Sequence, residues 1–132
     1  MQITRRADYA IRLLLELAGT TERPLSVRTL SERQGVPYAF ARAVQRDLSA
    51  ANLIMTVRGA AGGAILARPP EAITMLDVIE ATQGAPSISV CSHDPDWCAR
   101  SGECAVHRVW CGADSMLREY LGGKTLAGLI RG

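Results

Sequence analysis

Apolar residues recur at three- and four-residue intervals through the first nineteen positions, where Ile3, Ala7, Ala10, Ile11, Leu14, Leu17 and Ala18 fall on one side of a helix over residues 3–19. Thr4 is placed to cap it and Gly19 to stop it. After the turn TTERP, Ser26 caps a short helix from Val27 to about Gln34 that carries Leu30 inward. Gly35 and Val36 make a tight turn, and Pro37 sits in the first turn of a helix running to about Asn52, with Phe40, Ala43, Val44, Leu48 and Ala51 as its apolar stripe. Two helices joined by a short Gly-containing turn are a helix-turn-helix candidate.

The pattern then changes period. Residues 53–57 and 64–68 are short apolar runs separated by Arg58-Gly59-Ala60-Ala61-Gly62-Gly63, which predicts a β-hairpin. A hairpin directly behind a helix-turn-helix is a wing. Thr74 with Asp77 matches a capping box opening a helix that ends at Gly84. Residues 85–103 have no sustained period and read as a long loop, a length that usually signals function or a ligand. A helix follows from Cys104, with Val106 or His107, Trp110, Ala113 or Asp114, Leu117 and Leu121 on one side, and ends at Gly122 and Gly123. Residues 125–130 add one or two further turns. The fold class is mostly α with a small β-hairpin: a winged helix-turn-helix over residues 1–70, then a helix, a cysteine loop and a long C-terminal dimerisation helix over residues 71–132.

Charge sharpens this division. The formal net charge of +2 does not by itself point to nucleic acid, but residues 1–68 hold ten arginines and five acids, whereas residues 69–132 hold five cations and eight acids. The winged-helix half is therefore basic, as DNA binding requires. Arg42 and Arg46 lie four apart on the second helix of the pair, Tyr38 and Ala39 lie near its start, and Arg58 stands at the foot of the wing beside Gly59 and Gly62. These seven residues are the candidate contacts to double-stranded DNA, by base edge, phosphate or minor groove.

No stretch approaches the roughly 20 apolar residues of a membrane span. The N-terminus carries acids and arginines where a signal peptide would be apolar, so the expectation is a cytoplasmic protein with no membrane partner. Cys91, Cys98, Cys104 and Cys111 all lie in the C-terminal third. In that compartment they point to a metal or redox site rather than structural disulfides. Three thiolates with His107 can complete a four-ligand set, and the wide spacing without a Cys-x2-Cys knuckle favours an iron–sulfur cluster over zinc. Cys111, next to Trp110, reads as a buried small residue. A Cys104–His107 nucleophile and base would be the enzymatic alternative. It lacks an orienting acid or an anion-stabilising turn, and little chain is left for a substrate cleft, so neither an enzyme nor a small-molecule substrate is expected. Direct thiol-redox sensing and a structural zinc site remain as alternatives.

Taken together, Met1-Gln2-Ile3-Thr4 with Asp8-Tyr9-Ala10, the segment Leu30 to Val36, the wing Val57 to Gly63, Ile73-Thr74 with Asp77-Val78-Ile79 and the cysteine loop resemble the Rrf-two family of winged-helix transcription regulators. The resemblance covers nearly the whole chain. It implies a homodimeric repressor in which the helix beginning near Cys104 packs on its partner and a cluster is held by Cys91, Cys98 and Cys104. It also implies a response to nitric oxide, redox state, iron or cluster status. His107 with Trp110 resembles the cluster-regulator members, where this histidine completes a 2Fe-2S site. Asp8 resembles the nitric-oxide sensors, where the aspartate comes from the other protomer and completes a 4Fe-4S site. Both candidate fourth ligands are present, the first cysteine gap is one residue longer than in the cluster regulators, and Cys111 lies outside their pattern.

Overall fold

The computed structural model describes all 132 residues. Helix α1 spans Arg5–Gly19 and is capped by Thr4, whose hydroxyl accepts from Ala7 N at 3.1 Å. Its buried face is Ala7, Ala10, Ile11, Leu13, Leu14 and Leu17. Ile3 does not join this face. It precedes the cap in extended chain, where the helical period no longer applies, and it stands exposed.

Helix α2 (Val27–Gln34) starts at Ser26, which accepts from Thr29 N, and ends at Gly35 in the left-handed region (φ 63°). Only at such a φ does glycine's missing Cβ matter for the turn. Ser31 Oγ donates to Val36 O at 2.6 Å and closes the same turn from inside. Helix α3 (Tyr38–Ala50) takes Pro37 as its N-cap rather than within its first turn. Its buried face is Ala41, Val44 and Leu48. The expected stripe is thus rotated: Phe40 points out, and Ala41, one residue on, packs inward. Pattern alone could not choose between neighbours about 100° apart.

Strands β1 (Ile54–Val57) and β2 (Gly63–Leu66) pair antiparallel with Ile54 opposite Leu66 and Val57 opposite Gly63. Leu25 adds a bridge on the free edge of β2, exchanging hydrogen bonds with Ala64 at 3.1 and 2.7 Å. The wing is thereby fixed to the segment that leads into α2.

A 3-10 turn at Pro70–Ala72 leads to α4 (Met75–Gln83), which opens with the expected capping box: Thr74 and Asp77 each bond the other's backbone amide. The following loop is more ordered than its lack of period predicts. It contains a short helix α5 (Val90–His93), where the Ser89 amide donates to Ser92 Oγ, and a 3-10 turn at Pro95–Trp97 capped by the Asp94 side chain, which accepts from Asp96 N. Helix α6 (Ala105–Gly122) follows, and α7 (Leu126–Arg131) returns Leu126 and Ala127 to the core. Leu126, Ile73 and Val78 share one apolar cluster with Leu14, Leu48 and Leu53, so the core continues past Pro70 into the C-terminal half.

The side of α6 expected from the sequence divides into two faces. His107, Cys111, Asp114, Leu117 and Leu121 are buried or half-buried toward the body. Val106, Val109, Met116 and Tyr120 are exposed on the other side, and Trp110, 38% exposed, lies at the boundary between the two. Trp110 lies about 60° from His107, between the half-buried Leu117 and Leu121, and so at the margin of the covered flank.

Candidate functional site

Helix α3 is held on α1 by Arg6, whose guanidinium donates to both carboxylate oxygens of Asp47 at 2.5 and 2.8 Å. This hydrogen bond, supported by the charge of Asp47 and opposed by partial burial, raises the Arg6 pKa further. Arg33 likewise pairs with Glu22, and Arg118 with Glu80. Arg28, Arg42, Arg46 and Arg58 have no carboxylate within ion-pair distance. They leave uncompensated positive charge on the helix-turn-helix and wing.

Tyr38 gathers two of these cations. The Arg28 guanidinium lies 4.2 Å from its ring centroid and that of Arg42 5.9 Å, with Arg42 also donating to the phenol oxygen at 3.5 Å. The Arg42 hydrogen bond outweighs an opposing desolvation and, with the lesser help of the Arg42 and Arg28 charges, holds the phenol below its usual tyrosine value. Arg28 was not legible as a site residue. It sits on α2 with no periodic signal, and only the inter-helix turn brings it beside the start of α3.

Ala39, Arg42 and Arg46 are exposed on α3, and Arg58 and Gly59 are exposed at the wing tip. Gly62 lies in the same turn, but its amide donates to Gly59 O at 3.0 Å and so closes the hairpin. A Cβ at Gly62 would collide with Val57 O, and one at Gly63 with the backbone at Leu25 and Ser26.

The four cysteines are free thiols, each half-buried. Cys91 lies on α5, with Sγ 3.2 Å from Ser89 Oγ. Cys104 is the N-cap of the 18-residue helix α6 and makes no side-chain hydrogen bond to its first turn. Cys98 and His107 line one cavity of about 410 Å³ with Ser101, whose buried Oγ has no hydrogen-bond partner. No three of the His, Cys, Asp and Glu side chains converge at metal-binding distance within one chain. Asp8 lies exposed in the first turn of α1.

Cys111 is not the buried small residue expected. Its Sγ stands 3.5 Å from His107 Nε2, and it lines a polar cavity of about 240 Å³ with Ser92, His93, Asp114 and Arg118. A residue four positions after His107 shares its helix face, and that face meets the polar loop rather than the core. Asp114 is 8% exposed and accepts the Ile88 amide at 2.7 Å, fastening the start of the cysteine loop to α6.

A helix-turn-helix with an unpaired arginine face, followed by a wing, defines a DNA-binding transcription regulator. The chain belongs to the Rrf2 family, described as iron-dependent transcriptional regulator, whose model matches residues 3–132. It is 31% identical over 132 residues to the protein rrf2 of Nitratidesulfovibrio vulgaris strain Hildenborough, covering 99% of this chain and 88% of that protein. Among solved structures it is similar to IscR of T. potens, with 26% identity, a TM-score of 0.77, and 99% and 87% of the two chains covered. It is also similar to the oxidised form of CymR from Staphylococcus aureus, with 26% identity, a TM-score of 0.74, and 98% and 96% covered. No helix is long and apolar enough to cross a membrane.

Proposed function

We propose that this chain is a homodimeric, cytoplasmic repressor whose affinity for a double-stranded operator is set by an iron–sulfur cluster. Residues 1–70 serve as the reading unit and residues 71–132 as the sensing and dimerising unit. The observation that carries the cluster reading is the cavity shared by Cys98 and His107, with an unpartnered buried hydroxyl in its wall. Three thiols on one loop and an imidazole on the adjoining helix are a soft donor set suited to iron–sulfur ligation. Cys91, Cys98 and Cys104 would hold the cluster, with His107, or Asp8 of the partner protomer, as fourth ligand. When bound, the cluster supplies the chemistry that responds to nitric oxide, oxidants or iron supply.

The chain's own residues perform the coupling. With a cluster held, Cys91 and Cys98 would tie the loop to α6, whose Asp114 fixes the loop's start through Ile88. The exposed face Val106, Val109, Trp110, Met116 and Tyr120 packs against its counterpart in a second copy, as the family resemblance implies. Asp8 is exposed on α1 and so accessible to the partner's loop. The two reading heads are then spaced by the dimer, which sets the separation of the operator half-sites.

Purification without air tests this reading. Brown protein with visible absorption, iron and acid-labile sulfide is expected, lost in Cys91→Ala, Cys98→Ala or Cys104→Ala and kept in Cys111→Ala. Colourless protein holding stoichiometric zinc would overturn it in favour of a structural metal. Spectra of anaerobic His107→Ala and Asp8→Ala variants decide between the 2Fe-2S and 4Fe-4S assignments.

The Cys111–His107 contact favours a second reading, direct thiol sensing. Peroxide would oxidise Cys111 to a sulfenic acid, with water leaving. A dimedone adduct present in the wild type and absent from Cys111→Ser would establish it.

A further inference from the structure

The reading helix has an unusual side-chain inventory. With Ala41, Val44 and Leu48 buried, the helical period of about 100° per residue places Ala39, Arg46 and Ala50 directly opposite, facing outward. Arg42 and Tyr38 flank this line on the α2 side. Phe40, the only phenylalanine in the chain, flanks it on the α1 side. The polar side chains that read adenine or cytosine are absent from this arc. Gln45 lines an apolar core cavity, Asp47 is held by Arg6, and Ser49 is half-buried.

Phe40 is 43% exposed in the first turn of α3, the end of a recognition helix that approaches base edges. Its ring is set rather than free: it meets Tyr9 edge-to-face, with centroids 5.5 Å apart at 76°, and Tyr9 in turn lies under Arg12 at 5.7 Å. Long helical side chains lean toward the helix N-terminus, which carries the phenyl group toward the groove floor. Ala39 beside it ends at Cβ and permits close approach. In the major groove, an apolar side chain has one distinctive partner, the thymine C5-methyl, while arginine has guanine O6 and N7.

We propose that Phe40 reads a thymine methyl group in each operator half-site, beside guanine read by Arg42 or Arg46. This rests on the assignment of α3 as the DNA-reading helix and specifies the base class it selects.

The test begins with selection of binding duplexes from a random library by the full chain, prepared with and without air. Each thymine of the selected half-site is then replaced singly by deoxyuridine, which removes only the methyl. At one position per half-site, affinity should fall about fourfold, the scale of one buried methyl group. Phe40→Ala should bind the thymine duplex more weakly and show no further loss with uracil at that position. Phe40→Leu should retain part of the discrimination, and circular dichroism checks that both variants fold. Equal binding of every uracil duplex by the wild type, or the same uracil penalty in Phe40→Ala, would overturn the proposal while leaving α3 as the reading helix. Absence of any salt-dependent duplex binding would remove that underlying assignment, and the proposal with it.

Discussion

The side-chain amide of Gln83 accepts from the Thr4 backbone amide at 2.8 Å and donates to the Gln2 carbonyl at 2.9 Å. The last residue of α4 thus clasps the chain just before α1, at the residue that also caps α1. One side chain links the element leading into the cysteine loop to α1. Gln83→Ala removes two partly solvated hydrogen bonds and should cost about 1 kcal/mol in urea unfolding. Hydrogen exchange at Thr4 should accelerate in the same variant, and an unchanged rate there would show that the clasp does not hold the N-terminus.

Asp114→Ala leaves the Ile88 amide without its acceptor in a half-buried setting. A loss of about 1–3 kcal/mol is expected. Limited proteolysis should show earlier cleavage around residues 85–95 while α1 to α3 remain protected. Cleavage at the wild-type rate would mean that the loop is fastened elsewhere.

Gly63→Ala drives a Cβ into the backbone of Leu25 and Ser26, atoms that are part of the bridge to β2 and cannot swing away. About 1–3 kcal/mol of stability should be lost. Gly19→Ala, where an added Cβ meets nothing within 4 Å, serves as the matched control and should be neutral or slightly stabilising.

Tyr38 gives a pH dependence with a definite sign. Its pKa is lowered by the Arg42 hydrogen bond first and the arginine charges second, so the phenolate forms below the usual tyrosine range near 10. The linked gain in folding stability is present above the unfolded-state value and disappears as pH falls through the lowered one. On DNA the effect is opposite, because a phenolate adds negative charge beside Arg28 and Arg42. Operator affinity should decline as pH rises toward the usual tyrosine value, and more steeply than in Tyr38→Phe. Parallel pH curves for the two proteins would separate Tyr38 from the interface.

Arg46→Ala and Arg58→Ala should each weaken duplex binding, and the salt slope should fall by about one for each of these arginines that neutralises a phosphate. Arg33→Ala, which removes a cation already paired with Glu22, should change the slope less. Fluorescence anisotropy over a salt series measures all three. Equal slopes throughout would put the first two on a solvated face.

Local signals determined the elements of this protein. Thr4, Ser26 and Thr74 cap the helices they were expected to cap, Gly35 turns the chain between α2 and α3, and the glycine-rich tip joins β1 to β2. Caps, turns and strand alternation depend on neighbours in sequence and are therefore written in it. The seven DNA-binding candidates and the clustered cysteines are read from residue types at short spacing, and their roles belong to the proposal. Tertiary packing decided what those signals left degenerate. Whether Phe40 or Ala41 faces inward depends on where α1 lies against α3, and whether His107 and Trp110 share a face depends on which flank of α6 the loop covers. Arg28 joins Tyr38 across a turn, and Cys111 joins His107 because their common face meets a polar loop. Each is a relation between separate elements, set by the packing of their surfaces together and not by any spacing within one of them.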